Sequence, residues 1–171
     1  MSQKYFITGA SGGLGIELVK AVLSAGHTVV AAVRRPEALA DLAAQSGGRL
    51  IAEKLDVTQI GEIAAVAARH QDTDVLINNA GLGTSRRVVD MEDAEWHKVL
   101  DVTLTATFRV MRAALKVMQP RGQGVIINNA SVLGWRAQVE QAHYAAAKAG
   151  VMALTRCAAM EAAEFGIRIN A

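Results

Sequence analysis

Residues 4–16, KYFITGASGGLGI, contain the pattern on which the predicted fold depends. Residues 5–7 form a short apolar run, which predicts a buried strand. From Leu14 to Ala25, apolar residues recur three or four positions apart, which is the spacing of one helix face. We therefore predict a strand, a glycine-rich turn and a helix at the start of the chain.

The turn, TGASGGLG at residues 8–15, has the spacing TGxxxGxG rather than GxGxxG. Gly9 allows the chain to reverse, Gly13 allows the backbone to approach a ligand, and Gly15 allows the helix to pack close to the sheet. The helix N-terminus presents unpaired N–H groups and the positive end of its dipole, which suits a pyrophosphate. A flexible Gly/Ser loop is the alternative, but the position between strand and helix favours a nucleotide site.

Length and composition favour one domain, residues 1–171, that is large enough to bury a core. The chain is 51% hydrophobic and 4% aromatic, which suits helices packed on a parallel sheet. A net charge of +2 with scattered basic residues argues against nucleic acid as a partner. No apolar run is long enough for a bilayer, so we expect a cytoplasmic protein without a membrane partner. Cys157, the single cysteine, excludes an internal disulfide or a cysteine metal cluster, and we expect a core residue and no metal site.

The rest of the chain alternates between strand-like and helix-like patterns. The predicted strands are residues 27–33, 49–55, 74–77, 124–129 and 167–170, and the predicted helices are residues 36–45, the segment ending near 69, 93–118 and 141–164. Such alternation predicts right-handed crossovers and an α/β fold, a doubly wound parallel sheet with helices on both faces that ends at the sixth strand.

Two positions after predicted strands point to the nucleotide. Arg34 and Arg35 lie about 20 residues beyond the glycines, where arginine suits a 2′-phosphate and an acid would suit a free ribose. They favour NADP(H) over NAD(H), with a solvated surface pair as the alternative. Asp56 follows the third strand; it either caps the next helix or accepts from the adenine amino group, and both roles are compatible.

Ser131, Tyr144 and Lys148 carry the predicted chemistry. Ser131 follows the fifth strand, and Tyr144 and Lys148 lie one helical turn apart on one face. A free phenol has a pKa of about 10. A neighbouring ammonium favours the phenolate, so the proton becomes transferable. With serine holding a carbonyl oxygen and a cofactor supplying hydride, the set suits carbonyl reduction.

With these motifs in order, the whole chain resembles the short-chain dehydrogenase/reductase family. The matching segments are TGASGGLG (8–15), LDVT (55–58), NNAG (78–81), NNASVLG (128–134), YAAAK (144–148) and FGIRINA (165–171). The resemblance implies a Rossmann-type fold and an NAD(P)-dependent oxidoreductase acting on a small carbonyl or alcohol substrate. It also implies a homo-oligomer when the protein is full length.

The resemblance assigns roles residue by residue. Tyr144 is the proton donor or acceptor, Ser131 polarises the carbonyl, and Lys148 binds the nicotinamide ribose and tunes the tyrosine. The implied cofactor contacts are Gly9, Ser11, Gly12, Gly13, Leu14 and Gly15 at the pyrophosphate, Asp56 and Val57 at the adenine, Asn79, Ala80 and Gly81 on the adenosine side, Arg34 and Arg35 as in NADP-preferring members, and Tyr144 and Lys148.

Two features depart from the family pattern. Thr103 stands where the family usually has an asparagine whose backbone helps to hold a proton-relaying water; we expect Thr103→Asn to keep or raise turnover. The substrate lid and last strand that usually follow IRINA are not in this sequence, so we expect an incomplete C-terminal part, weak NADP binding and poor turnover. A non-catalytic NADP-binding sensor or scaffold, or an inactive reductase fragment, is therefore the alternative.

Overall fold

A computed structural model describes residues 2–171, in which strands and helices alternate from end to end. The strands are β1 (Lys4–Thr8), β2 (Thr28–Val33), β3 (Leu50–Lys54), β4 (Val75–Asn78), β5 (Gly124–Asn128) and β6 (Ile167–Asn170). The α-helices are α1 (Gly13–Ser24), α2 (Ala40–Gln45), α3 (Ile60–Arg69), α4 (Asp93–Leu100), α5 (Ala106–Met118) and α6 (Ala142–Ala163).

All strand pairs are parallel, and the order across the sheet is β3-β2-β1-β4-β5-β6. The chain moves outward from β1 through β2 to β3 and then returns to place β4 on the other side of β1. In open α/β sheets, ligands bind beyond the carboxyl ends of the strands at such a reversal. The fold therefore places a candidate site above β1 and β4.

Alternate residues of the central strands enter two separate cores, as expected for strands buried on both faces. Phe6 and Val30 pack on the side of α3, α5 and α6, whereas Ile7 and Val29 pack on the side of α1 and α2. The predicted doubly wound α/β fold is confirmed. On the α1 side, Ile127 of β5 is 40% exposed, so the helices of the described chain cover that face unevenly.

Several local expectations were wrong. Residues 36–39 form a 3₁₀ turn before α2, and residues 101–105 form a π-helical turn between α4 and α5, where one continuous α-helix was predicted. Asp56 does not cap α3, whose N-cap residue is Gln59; the carboxylate instead accepts from the backbone N–H and hydroxyl of Thr58. Cys157 is exposed and is not a core residue.

None of the helices within residues 2–171 combines the length and apolar character needed to cross a membrane.

Candidate active site

The glycine turn after β1 lies against the segment that follows β4. Gly9 has a φ of +63°, and a Cβ at this position would lie 2.8 Å from the Cα of Ala80. A Cβ at Gly15 would overlap the carbonyl oxygen of Gly9. Both positions therefore require glycine, Gly9 for its left-handed backbone and both for close packing. The N-cap of α1 is Gly12, which has no side chain to cap the helix, so the first N–H groups remain available to an anion.

A cleft of about 690 Å³ opens above this turn. It is lined by eight of the predicted cofactor residues, namely Gly9, Ser11, Gly12, Arg34, Asp56, Val57, Ala80 and Gly81. The other predicted cofactor residues, Gly13, Leu14, Gly15, Arg35, Asn79, Tyr144 and Lys148, do not line it. Leu14 is exposed on α1, and Gly15 and Asn79 support the turn from below. Its lining combines charged side chains, such as Arg34 and Asp56, with apolar ones, such as Leu55 and Val57.

Arg34 and Asp56 lie at the β2–β3 end of this cleft. Hydrogen bonds from Thr58 lower the pKa of Asp56 below its ordinary value, and the charge of Arg34 adds to the effect. Within the described residues, Arg34 forms no ion pair with a carboxylate, so its guanidinium can bind a phosphate. Arg35 is exposed and lies outside the cleft, where it precedes the 3₁₀ turn. Of the two predicted arginines, Arg34 therefore lines the cleft and Arg35 does not.

Tyr144 and Lys148 lie on α6 close to the segment after β4. The Lys148 ammonium lies 5.5 Å from the centroid of the Tyr144 ring, and 3.8 Å from where a Cβ of Gly81 would be. Lys148 is 3% exposed, and burial lowers the pKa of its ammonium. Since Gly81 lines the cleft, the lysine and the glycine turn share the same end of the sheet.

Ser131 lies in the loop between β5 and α6, where it precedes a 3₁₀ turn over Val132–Gly134. Its hydroxyl oxygen accepts a hydrogen bond from the backbone N–H of Leu133 at 3.2 Å. This contact uses a lone pair and leaves the hydroxyl hydrogen free to donate.

A chain of hydrogen bonds joins the glycine turn to Lys148. The Asn79 amide donates to the carbonyl oxygens of Thr8 and Gly9 at 3.2 and 3.1 Å. It accepts from the Asn129 amide at 3.0 Å, and the Asn129 carbonyl accepts from the Lys148 ammonium at 2.5 Å. Asn79 therefore anchors the glycine turn through hydrogen bonds and does not line the cleft. Asn129, which sequence reasoning did not single out, positions the lysine.

Thr103 is fully buried in the π-helical turn. Its hydroxyl accepts from the backbone N–H of Leu82 and donates to the Leu82 carbonyl, both at 3.0 Å. Its own carbonyl accepts from the Thr107 hydroxyl at 2.9 Å. The side chain thus fixes the segment after β4, and its predicted part in a proton relay stays a prediction.

Other cleft residues were missed by sequence reasoning. Lys98 of α4 and Asp101 of the π-helical turn both line the cleft. Asp101 pairs with Arg109 at 3.2 Å, and Arg109 also donates to the Thr58 carbonyl at 3.1 Å. No local pattern marks these residues, because they reach the cleft only through the packing of α4 against α6 and of α5 against β4.

Comparisons with known proteins agree with this geometry. The short chain dehydrogenase family model matches residues 3–171. A Mycobacterium tuberculosis protein, (5R,7aS)-5-hydroxy-7a-methyl-1-oxo-2,3,5,6,7,7a-hexahydro-1H-indene-carboxyl-CoA reductase, is 52% identical over 96% of this chain and 67% of its own length.

Solved structures show the same likeness. A short chain dehydrogenase from Mycobacterium smegmatis has a TM-score of 0.93 and 47% identity, covering 99% of this chain and 75% of that one. A short chain dehydrogenase from Burkholderia cenocepacia in complex with NADP has a TM-score of 0.89 and 34% identity, covering 98% of this chain and 69% of that one. The protein therefore belongs to the short-chain dehydrogenase/reductase family of NAD(P)-linked oxidoreductase enzymes.

Proposed function

We propose that this protein interconverts a carbonyl compound and its alcohol with NADP(H), using Tyr144 as the acid/base. The observation that carries the proposal is the placement of Lys148 and Tyr144 beside Gly81 and Gly83, directly after the strand that borders the glycine turn. This brings the phenol and the cofactor cleft to one end of the sheet.

The residues of the cleft fit a dinucleotide. The uncapped N-terminus of α1 and the turn before it suit the pyrophosphate, since a Cβ at Gly12 or Gly13 would meet only open space. Asp56 can accept from the adenine amino group. Arg34 supports NADP(H) over NAD(H), because a guanidinium binds a phosphate strongly. When bound, the nicotinamide supplies or accepts the hydride at the substrate carbon.

Each catalytic side chain has one task in the reducing direction. Ser131 donates its free hydroxyl hydrogen to the carbonyl oxygen and so orients the substrate. Tyr144 gives its proton to the same oxygen as the alcohol forms, and takes a proton back in oxidation. Lys148 uses one of its three N–H donors on Asn129 and has two left for the ribose and the phenol side.

Exposed apolar side chains in the loop that contains Ser131 support a substrate with an apolar body. Val132, Trp135 and Val139 are 67%, 76% and 76% exposed in the loop between β5 and α6. The M. tuberculosis relative is named for an indene-ring substrate. Assembly into a homo-oligomer and a cytoplasmic location stay predictions.

Tyr144→Phe tests the proposal. We expect turnover of a carbonyl panel, followed as loss of NADPH absorbance, to fall by at least about 100-fold, as removal of an acid/base group does. NADPH affinity should change by less than about twofold, because the cofactor cleft is intact. Tyr5→Phe is the matched control, since Tyr5 is the other tyrosine and, within residues 2–171, its hydroxyl hydrogen-bonds only to Gln3, at 3.4 Å. Undiminished turnover in Tyr144→Phe would disprove the role, and cofactor binding without turnover in the wild type would favour a non-catalytic binding module.

A further inference from the structure

Gly83, in the segment of residues 82–87 that begins at the cofactor cleft, packs against the ring of Tyr144. A Cβ at Gly83 would lie 3.3 Å from Cδ2 of that ring, closer than side chains normally pack. Only glycine therefore lets the backbone approach the ring this closely, and any shift of this segment changes the space available to the phenol. The contacts that hold residues 82–87 in place therefore affect the position of the Tyr144 hydroxyl.

Thr84 is the central anchor of this segment. Its hydroxyl lies 2.6 Å from a carboxylate oxygen of Glu95 on α4 and 2.6 Å from Nε2 of His143 on α6. The Gln141 side chain donates to the Thr84 carbonyl at 2.9 Å. His143 is fully buried and immediately precedes Tyr144. One threonine thus ties residues 82–87 to both helices that border the site.

The hydrogen positions follow from the chemistry of the three groups. The hydrogen bond from Thr84 lowers the pKa of Glu95, and Arg86 pairs with the same carboxylate at 3.1 Å, so Glu95 is ionised and only accepts. Thr84 has a single hydrogen and gives it to Glu95. His143 Nε2 must then carry a hydrogen and donate to Thr84. Its Nδ1 is buried without a partner in the described chain, which suits a lone pair better than an unsatisfied N–H.

We propose that His143, as the neutral tautomer with its hydrogen on Nε2, is a positioning residue that acts through Thr84 to hold residues 82–87 against Tyr144. This inference rests on the proposed role of Tyr144 for its effect on catalysis, but the anchor itself does not. It adds a histidine, a threonine and a glutamate outside the Ser131, Tyr144 and Lys148 set.

Imidazole NMR tests the anchor without turnover. The protein has four histidines, and His143→Gln identifies the His143 signals in a ¹⁵N-labelled sample. We expect the nitrogen shifts of a neutral ring with the hydrogen on Nε2. A ring with its hydrogen on Nδ1 alone would overturn the inference, because Nε2 could not then donate to Thr84.

Thr84→Val and Thr84→Ser test the effect on the site. Valine keeps the shape without the hydroxyl, and serine keeps the hydroxyl. We expect valine to speed amide exchange across residues 82–87 and to lower kcat about tenfold, since a small displacement of a reacting group has effects of this size. NADPH affinity should stay within about twofold, and serine should restore both readouts. Similarly, His143→Gln keeps an N–H donor and should exceed His143→Leu in kcat.

Equal kcat and equal exchange in Thr84→Val and the wild type would overturn the inference, and so would equal losses in the valine and serine variants. The proposed function has a separate test. If it is wrong, Tyr144→Phe stays active, whatever amide exchange across residues 82–87 shows.

Discussion

Replacing Lys148 by methionine should abolish turnover and yet make the fold more stable. Lys148 is 3% exposed, and the protein partner of its ammonium is the Asn129 carbonyl at 2.5 Å. Burial lowers the pKa of Lys148, which means that the surroundings stabilise the ammonium less than water does. The native state therefore carries a charge that methionine, of similar length and no charge, would remove.

The size of the gain follows from two opposing effects. Burying one ion costs roughly several kcal/mol after relaxation. A hydrogen bond to a charged group returns about 1.5–3 kcal/mol. We expect Lys148→Met to raise the free energy of unfolding by about 1–2 kcal/mol. For a chain of this length, that corresponds to a rise in Tm of roughly 2–8 °C.

The stability gained in Lys148→Met should be larger at neutral than at alkaline pH. Unfolded Lys148 binds its proton up to its ordinary pKa of 10.5, whereas folded Lys148 loses it at a lower pH. The free energy of unfolding of the wild type therefore rises with pH between the two pKa values. The destabilisation by the buried ammonium is complete only below the pKa of Lys148 in the folded state. The Tm difference between Lys148→Met and wild type should be largest near neutral pH and narrow as the pH approaches 10.5.

Thermal unfolding followed by circular dichroism at neutral and alkaline pH measures this. Lys116→Met is the matched control, because Lys116 is exposed on α5 and the same substitution there removes no buried charge. A Tm for Lys148→Met at or below that of Lys116→Met at neutral pH would refute the reasoning, since the site would then compensate the buried ammonium fully.

Substitutions at Arg34, Gly15 and Thr103, with controls for the last two, test separate parts of the structure. Arg34→Ala should weaken NADPH binding about tenfold in calorimetry, through loss of a charge-assisted phosphate contact, and leave NADH binding nearly unchanged; equal weakening of both would contradict its role. Gly15→Ala should lower the free energy of unfolding in urea by about 1–3 kcal/mol because its Cβ would overlap Gly9, whereas Gly12→Ala, which meets open space, should change little. Thr103→Val should cost about 1–3 kcal/mol by leaving backbone groups unpaired, and Thr103→Ser should retain most of the stability; equal stability of the two would contradict the anchoring role.

The fold was predictable because its main constraints are local. The turn at residues 8–15 needs glycine for backbone reasons that sequence spacing reveals, and the apolar runs of β1 and β2 identify strands buried on both faces. The break in the predicted helix 93–118 was not predictable, because the π-helical turn coincides with Thr103, whose side chain bonds to Leu82, 21 positions away.

The site was predictable in part for the same reason. Tyr144 and Lys148 lie one turn apart on one helix, so their proximity follows from helical geometry alone. The contact between Thr84 and His143 joins positions 59 apart, and nothing in the local pattern of either residue marks it. Asp56 shows that sequence leaves choices open even between near neighbours. The same short sequence is compatible with a carboxylate that caps α3 and with one that bonds to Thr58, and the structure shows the bond to Thr58.

A crystal structure of the protein with NADPH tests the central claim most directly. We predict density for the pyrophosphate over residues 9–15, the 2′-phosphate beside Arg34, and the nicotinamide beside the Tyr144 hydroxyl. A dinucleotide bound elsewhere, or a nicotinamide on the side of the sheet away from Tyr144, would contradict the account.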